Sequence, residues 1–285
     1  MELGSLVRAE LSRAAASFLA NDRLLAEELS VAALHDARVD LRRVRSNLRT
    51  FRSLVDSDWL RGAIAQISWY QTLLGDVRDV DVAIGHILQL DECTEDPTGC
   101  AELTSLLAID RAAALRALDS GRESPRHAAA IRHLGELAED PPMRRPSALA
   151  AHESLPPLID RGWRNVREAA RLGEKEPTEV ALHGVRLRSK ELRFASEIAV
   201  EVFGDEAAAL AKASARVQRR LGRHRDAVAA EAWLNGAASV LPSAHSLATR
   251  LARTQRDRAE LMLATWPKDV KRVKKAWRAF DRALH

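Results

Sequence analysis

The chain has 285 residues, 44 Lys+Arg against 40 Asp+Glu, and a formal charge of +4, enough for one large domain or two modest ones, each able to bury a core. An apolar fraction of 46% excludes wholesale disorder, and two cysteines exclude a disulfide framework or a cysteine-based zinc cluster. With only 6 Trp, 5 Phe and 1 Tyr, few β-branched residues and abundant Ala, Leu, Arg and Glu, the composition favours helix over sheet.

In chain order, Leu3, Leu6, Val7, Leu11, Phe18 and Leu19 repeat at helical spacing and predict a first helix, with a break at Asn21-Asp22. Further helices are predicted from about Val31 to Val55, Trp59 to Leu74 and Asp79 to Leu90. The acidic stretch from Asp91 to Cys100 reads as a loop broken by Pro97 and Gly99, and its two cysteines as incidental thiols. Helix resumes near Glu102, is interrupted at Gly121 and Pro125, and runs on to about Leu137. Pro141, Pro142, Pro146, Pro156 and Pro157 then crowd one stretch, where each removes a backbone donor. This divides the chain into 1–140, a proline-rich linker at 141–157, and 158–285, in which helical spacing returns through Leu284. No segment alternates as a strand would.

Charges at Glu2, Arg8, Glu10 and Arg13 interrupt what would be a signal-peptide core. The longest uncharged run, Ala232 to Thr249, is too polar to span a bilayer. A cytoplasmic protein with no membrane partner is expected.

The two sides of the linker repeat each other. His35-x-x-Arg38-x-x-x-Arg42-x-x-Arg45 is matched 148 residues later by His183-x-x-Arg186-x-x-x-Lys190-x-x-Arg193. Leu74-Gly75-Asp76-Val77-Arg78-Asp79 is matched by Leu221-Gly222-Arg223-His224-Arg225-Asp226, and Arg111 to Leu115 by Arg258 to Met262, both at an offset of 147. Three matches in one order at nearly one offset indicate a duplicated helical unit.

At about 100° per residue, Arg38, Arg42, Arg45, Arg49 and Arg52 fall in one sector of a helix on the His35 side, beside an apolar sector of Leu41, Val44, Leu48, Phe51 and Val55. Arg186, Lys190 and Arg193 repeat the ladder beside His183. Like charges stacked at this spacing repel by a few tenths of a kcal/mol per pair, so the helix must gain elsewhere. One source is pairing with carboxylates on neighbouring helices, for which Asp76, Asp79, Asp81 and Asp226 are available. The other is a polyanion: Arg presents a planar fork that grips phosphate bidentately, and a histidine can donate to a phosphate oxygen. Of the 44 cations 37 are Arg, and four of the seven Lys lie near the C-terminus. There Lys268, Lys271, Arg272, Lys274, Lys275, Arg278 and Arg282 stand against Asp269 and Asp281, beside an apolar face of Val270, Val273, Trp277 and Phe280. Lys271, Lys274, Lys275 and Arg278 are read as lining or extending the polyanion site.

With its paired His-x-x-Arg helices and Leu-Gly-x-x-Arg-Asp segments, the chain resembles the CHAD family, the conserved histidine α-helical domain. The resemblance covers nearly the whole chain. It implies an all-α fold of two four-helix bundles related by a pseudo-twofold, with a basic channel between them that binds inorganic polyphosphate, and an association with polyphosphate granules. Glu191 and Glu197 depart from the pattern, standing where the first repeat has Arg43 and Arg49. His224 replaces Val77 of the first repeat with no evident reason.

The expected function is therefore non-catalytic binding of polyphosphate without a cofactor or metal. Against an enzyme, the chain lacks a Gly-x-x-x-x-Gly-Lys-Ser/Thr phosphate loop and a Glu-x-Glu-x-Lys strand. Nucleic acid is the competing ligand. It is disfavoured because the basic residues flank apolar seams instead of an exposed stacking or recognition surface.

Overall fold

The computed structural model describes residues 1–88, 91–144 and 150–284. These form helices α1 (Leu3–Glu27), α2 (Val31–Thr50), α3 (Ser57–Leu88), α4 (Asp91–Glu95), α5 (Pro97–Arg122), α6 (Pro125–Glu139), α7 (Ala151–Lys175), α8 (Glu179–Val240) and α9 (His245–Ala283). Among the described residues there is no strand, only isolated bridges at Glu2–Ala150 and Val55–Met143.

Several boundaries differ from the spacing-based reading. Helix α1 passes through Asn21-Asp22, because the Asp22 carboxylate is engaged sideways by Tyr70 Oη and lies 3.7 Å from Arg122 Nη2, so it does not compete for the backbone. Helix α2 stops at Thr50 and gives way to a turn at 51–54, while Phe51 and Val55 stay buried. Helix α3 is one continuous helix where two were expected; the end expected at Leu90 lies outside the described residues.

Asp96 caps α5 by accepting from Gly99 N, and Pro97 starts that helix at a position where its missing N–H costs nothing. The expected acidic loop is thus the short α4 followed by the start of α5. This brings the Cα atoms of Cys93 and Cys100 to 5.2 Å, within bridging range. The two residues form a disulfide and are not the free thiols expected.

Helix α7 already begins at Ala151, so Pro156 and Pro157 lie inside it and not in a linker. The carbonyls they leave without donors belong to His152 and Glu153, exposed in the first turn and open to water. Pro146 lies outside the described residues.

Helix α8 folds back on itself at Gly204, the one residue among those described with positive φ (φ 54°, ψ −130°). No side chain tolerates that conformation well. The two limbs run side by side: Arg193 Nη1 donates to Gln218 Oε1 at 3.3 Å. Helices α2 and α3 form the matching hairpin, with Arg45 Nη1 donating to Gln71 Oε1 at 3.3 Å. Ser30 and Thr178, 148 residues apart, cap α2 and α8 in the same way, accepting from Ala33 N and Ala181 N.

One hydrophobic core runs through both halves and includes Phe18, Leu41, Leu48, Tyr70, Ile159, Trp163, Leu192, Trp266 and Phe280. A smaller core joins Cys93, Cys100, Leu103 and Leu107 to Leu234, Leu247 and Leu251. No helix among the described residues is long and apolar enough to cross a membrane.

Candidate anion site between α2 and α8

The apolar sector of α2 packs inward, and this turns its arginine sector toward the first limb of α8. Arg38, Arg42, Arg45, Arg186, Lys190 and Arg193 converge there, with Arg49 exposed at one end. Arg45, Arg49, Thr50, Leu187, Lys190 and Glu191 line a small crevice at this junction.

Electrostatics show how closely the charges are forced together. Burial, then Arg38, Arg186 and Arg193, lower the Arg42 pKa to about 10, with Asp226 acting in the opposite direction. Burial, then Arg42, Arg186, Arg45 and Arg49, lower Lys190 to about 7. Arg45 is lowered by burial and Arg49, and Arg186 by burial and Arg225. Desolvation and like charge act in the same direction on all four.

Carboxylates offset part of this charge. Arg38 Nη2 donates to Asp79 Oδ1 at 2.8 Å. Arg193 Nε donates to Glu197 Oε1 at 2.7 Å, and Arg43 Nη2 reaches Glu197 Oε2 at 3.3 Å. Arg43 Nε and Asn47 Nδ2 share Glu10 Oε1. The pairing expected for Asp79 is therefore present, whereas Asp81 bonds Arg111 instead. Among the described residues Arg42, Arg45, Arg49, Arg186 and Lys190 have no carboxylate within ion-pair reach, and Arg45 Nε and Arg186 Nε are buried without a hydrogen-bond partner. Unmet donors on desolvated cations favour an anion strongly.

The duplicated Gly-x-x-Arg-Asp segments lie where the first arginine of each ladder crosses: a Cβ on Gly75 would stand 3.7 Å from Arg38 Nε and one on Gly222 3.4 Å from Arg186 Nε, both ordinary van der Waals contacts, so space alone does not require glycine at either position. Gln71 and Gln218 were not singled out from the sequence, although they too lie 147 residues apart. Each accepts from the equivalent ladder arginine, Arg45 or Arg193. A neutral acceptor orients a guanidinium without cancelling its charge.

Other expected site residues fall elsewhere. His35 and His183 are exposed near the N-terminal ends of α2 and α8. Arg52 lies beyond the end of α2, exposed in the turn, so the ladder has four arginines on α2 and not five. Lys271 and Lys274 line a different groove, between α9 and α7, and Lys275 and Arg278 are exposed outside it. Lys271 and Lys274 therefore do not extend the α2–α8 cluster, because α9 presents them toward α7. His224 is half-buried, with its pKa lowered by burial.

These features define an all-helical protein with a cation cluster where two similar helical hairpins meet. The chain belongs to the CHAD domain family, whose profile matches residues 9–235. Its fold is similar to that of PptA from Streptomyces chartreusis, with a TM-score of 0.74 and 23% identity over 94% of this chain and 99% of that one. It is also similar to the crystal structure of the CHAD domain from the plant Ricinus communis, with a TM-score of 0.67 and 24% identity over 98% of this chain and 92% of that one. At these identities the likeness is one of fold. No curated protein sequence matches the chain.

Proposed function

We propose that the chain is a non-catalytic receptor for inorganic polyphosphate. In this reading the two halves form two four-helix bundles related by a pseudo-twofold, and the junction of α2 with the first limb of α8 is a basic channel. The observation that carries the reading is the set of desolvated cations without carboxylate partners: Arg42, Arg45, Arg186 and Lys190. Such a set is costly when empty and becomes favourable once phosphates supply the missing charge. Of the carboxylates near the cluster, Asp79 and Glu197 are occupied in holding Arg38, Arg43 and Arg193, and in this reading they serve as struts for guanidinium groups; Asp226 offsets part of the charge on Arg42 and Arg186 without pairing with either. A protein of this kind would act in the cytoplasm, on polyphosphate granules.

The test is binding of long-chain polyphosphate, pyrophosphate, and DNA and RNA of equal charge across a salt series. The six converging cations, Arg38, Arg42, Arg45, Arg186, Lys190 and Arg193, on successive phosphates should give a slope of log K against log salt of roughly −4, taking about −0.7 per contact as for single strands. Long chains should exceed pyrophosphate, because successive contacts share one ordering cost. Arg42→Glu with Lys190→Glu should remove binding and leave the protein folded. Affinity that is flat in salt, equal for pyrophosphate, or higher for nucleic acid would overturn the reading.

A further inference from the structure

The two ladders differ at one position. Arg42 of α2 is matched 148 residues later by Lys190 of α8. Lys190 is thus the one primary amine among the converging cations, in a chain where 37 of 44 cations are Arg. A guanidinium keeps its proton at neutral pH, whereas a desolvated amine gives its proton up and becomes a nucleophile. The other six lysines, Lys175, Lys212, Lys268, Lys271, Lys274 and Lys275, are exposed.

Lys190 is half-buried and lines the small crevice at the α2–α8 junction beside Arg45, Arg49 and Thr50. Each of these side chains suits one part of an acyl phosphate. Arg45 and Arg49 offer forks for the phosphate, and Arg45 Nε is buried without a partner. Thr50 Oγ1 is also buried without a partner, which leaves its hydroxyl free to donate to an acyl carbonyl oxygen. Glu191 lines the crevice too, but its carboxylate is held by Arg188 at 2.9 Å. Burial, then Arg42, Arg186, Arg45 and Arg49, bring the Lys190 pKa to about 7. At pH 8 about nine tenths of such a group is free amine, against about one part in 250 of an unperturbed lysine. The cluster also selects the product. A methylated amine or a protonated imine keeps the positive charge and its repulsion by the arginines. An amide is neutral and removes both, and the departing phosphate is stabilised by the same arginines.

We propose that Lys190 is a site of acylation by small acyl phosphates, held by their phosphate group on the arginines of the crevice. The free Nζ attacks the carbonyl carbon. The N–C bond forms, the bond from that carbon to the bridging oxygen breaks, and the oxygen leaves with the electron pair as phosphate. One Nζ proton passes to the departing phosphate, so amine and acyl phosphate dianion give amide and hydrogen phosphate dianion. Acylation takes one cation out of the ladder and weakens polyanion binding. That regulatory consequence rests on the polyphosphate reading, and the acylation itself does not.

The experiment treats the full chain at pH 8 with acetyl phosphate and, separately, with acetic anhydride, a neutral donor of the same group. Peptide mass spectrometry follows each lysine. Exposure alone ranks Lys190 last of the seven. With acetyl phosphate it should rank first, about tenfold ahead of the mean of the exposed six, and its lead should be smaller with the anhydride. Arg45→Gln with Arg49→Gln should slow acetyl phosphate acylation of Lys190 about fivefold, and anhydride acylation by less. Treated wild type should bind long polyphosphate more weakly than untreated, while the affinity of Lys190→Arg, whatever its starting value, should not change on treatment. Lys190 reacting no faster than the exposed lysines, or holding an equal lead with both donors, would overturn the proposal. Unchanged polyphosphate affinity after acylation of Lys190 would overturn its regulatory role. Phosphate-guided acylation of Lys190 in a chain that binds no polyphosphate would uphold the site and overturn the polyphosphate reading, so the two fail separately.

Discussion

Replacing Lys190 by Met removes one ammonium from the centre of the cation cluster and keeps a side chain of similar length. The Lys190 pKa is 10.5 when unperturbed and about 7 in the folded chain, with burial the largest cause and Arg42, Arg186, Arg45 and Arg49 following. At 1.36 kcal/mol per unit, the folded state bears a penalty of about 5 kcal/mol at most for holding this group charged. The penalty is complete below pH 7, where folded and unfolded chains both bind the proton. Between pH 7 and 10.5 the unfolded chain binds more protons, so stability rises with pH by about 1.36 kcal/mol per unit from this group. Lys190→Met should therefore be more stable than wild type at pH 6.5. Its advantage should shrink by about 2 kcal/mol between pH 7 and pH 9. The window stops there because Arg42, lowered to about 10, titrates above it.

Urea unfolding of both proteins at each pH measures the difference directly. A bound polyanion should reverse the shift. At pH 8.5 wild type should then take up about one proton on binding long polyphosphate and the variant none, read by calorimetry in two buffers of different ionisation enthalpy. A variant less stable than wild type at pH 6.5, or a difference constant with pH, would refute the reasoning and make Lys190 an ordinary solvated cation.

Glu197→Gln removes the carboxylate that holds Arg193 and one end of Arg43, which frees the Arg193 guanidinium for phosphate while Glu10 still holds Arg43. Polyphosphate affinity should rise roughly threefold to tenfold at fixed salt, a gain of about 1 kcal/mol, and titration with long chains would show it; unchanged or weaker binding would assign Glu197 a purely structural role. Gly204→Ala forces a Cβ into the φ 54° fold-back of α8, and chemical denaturation should register a loss of about 1–3 kcal/mol. Because the ladder side chains are untouched, the salt slope of ligand binding should not change.

Much of this protein follows from local rules. Helical spacing identifies an all-helical chain, and a repeat offset of 147–148 residues needs only the sequence. The arginine sector of α2 follows from 100° per residue, and the apolar sector beside it, Leu41, Val44 and Leu48, is buried as that arithmetic requires. What the sequence leaves open is whatever depends on a neighbour from another element. The sector rule carries Arg52 onto the ladder, but α2 ends two residues earlier. Gln71 and Gln218 repeat at the same offset as the glycines, but only the packed hairpins show that they hold Arg45 and Arg193. The C-terminal lysines are as basic as the ladder, and only packing shows where they lie: Lys271 and Lys274 line the seam of α9 with α7, where Trp277 stacks on Trp163. Asp269 stands where the first half has Arg122 and is bonded instead to Arg220 of α8. Periodicity reports which face of a helix is apolar. It does not report which helix that face meets, because packing contacts and ion pairs join residues far apart in the chain.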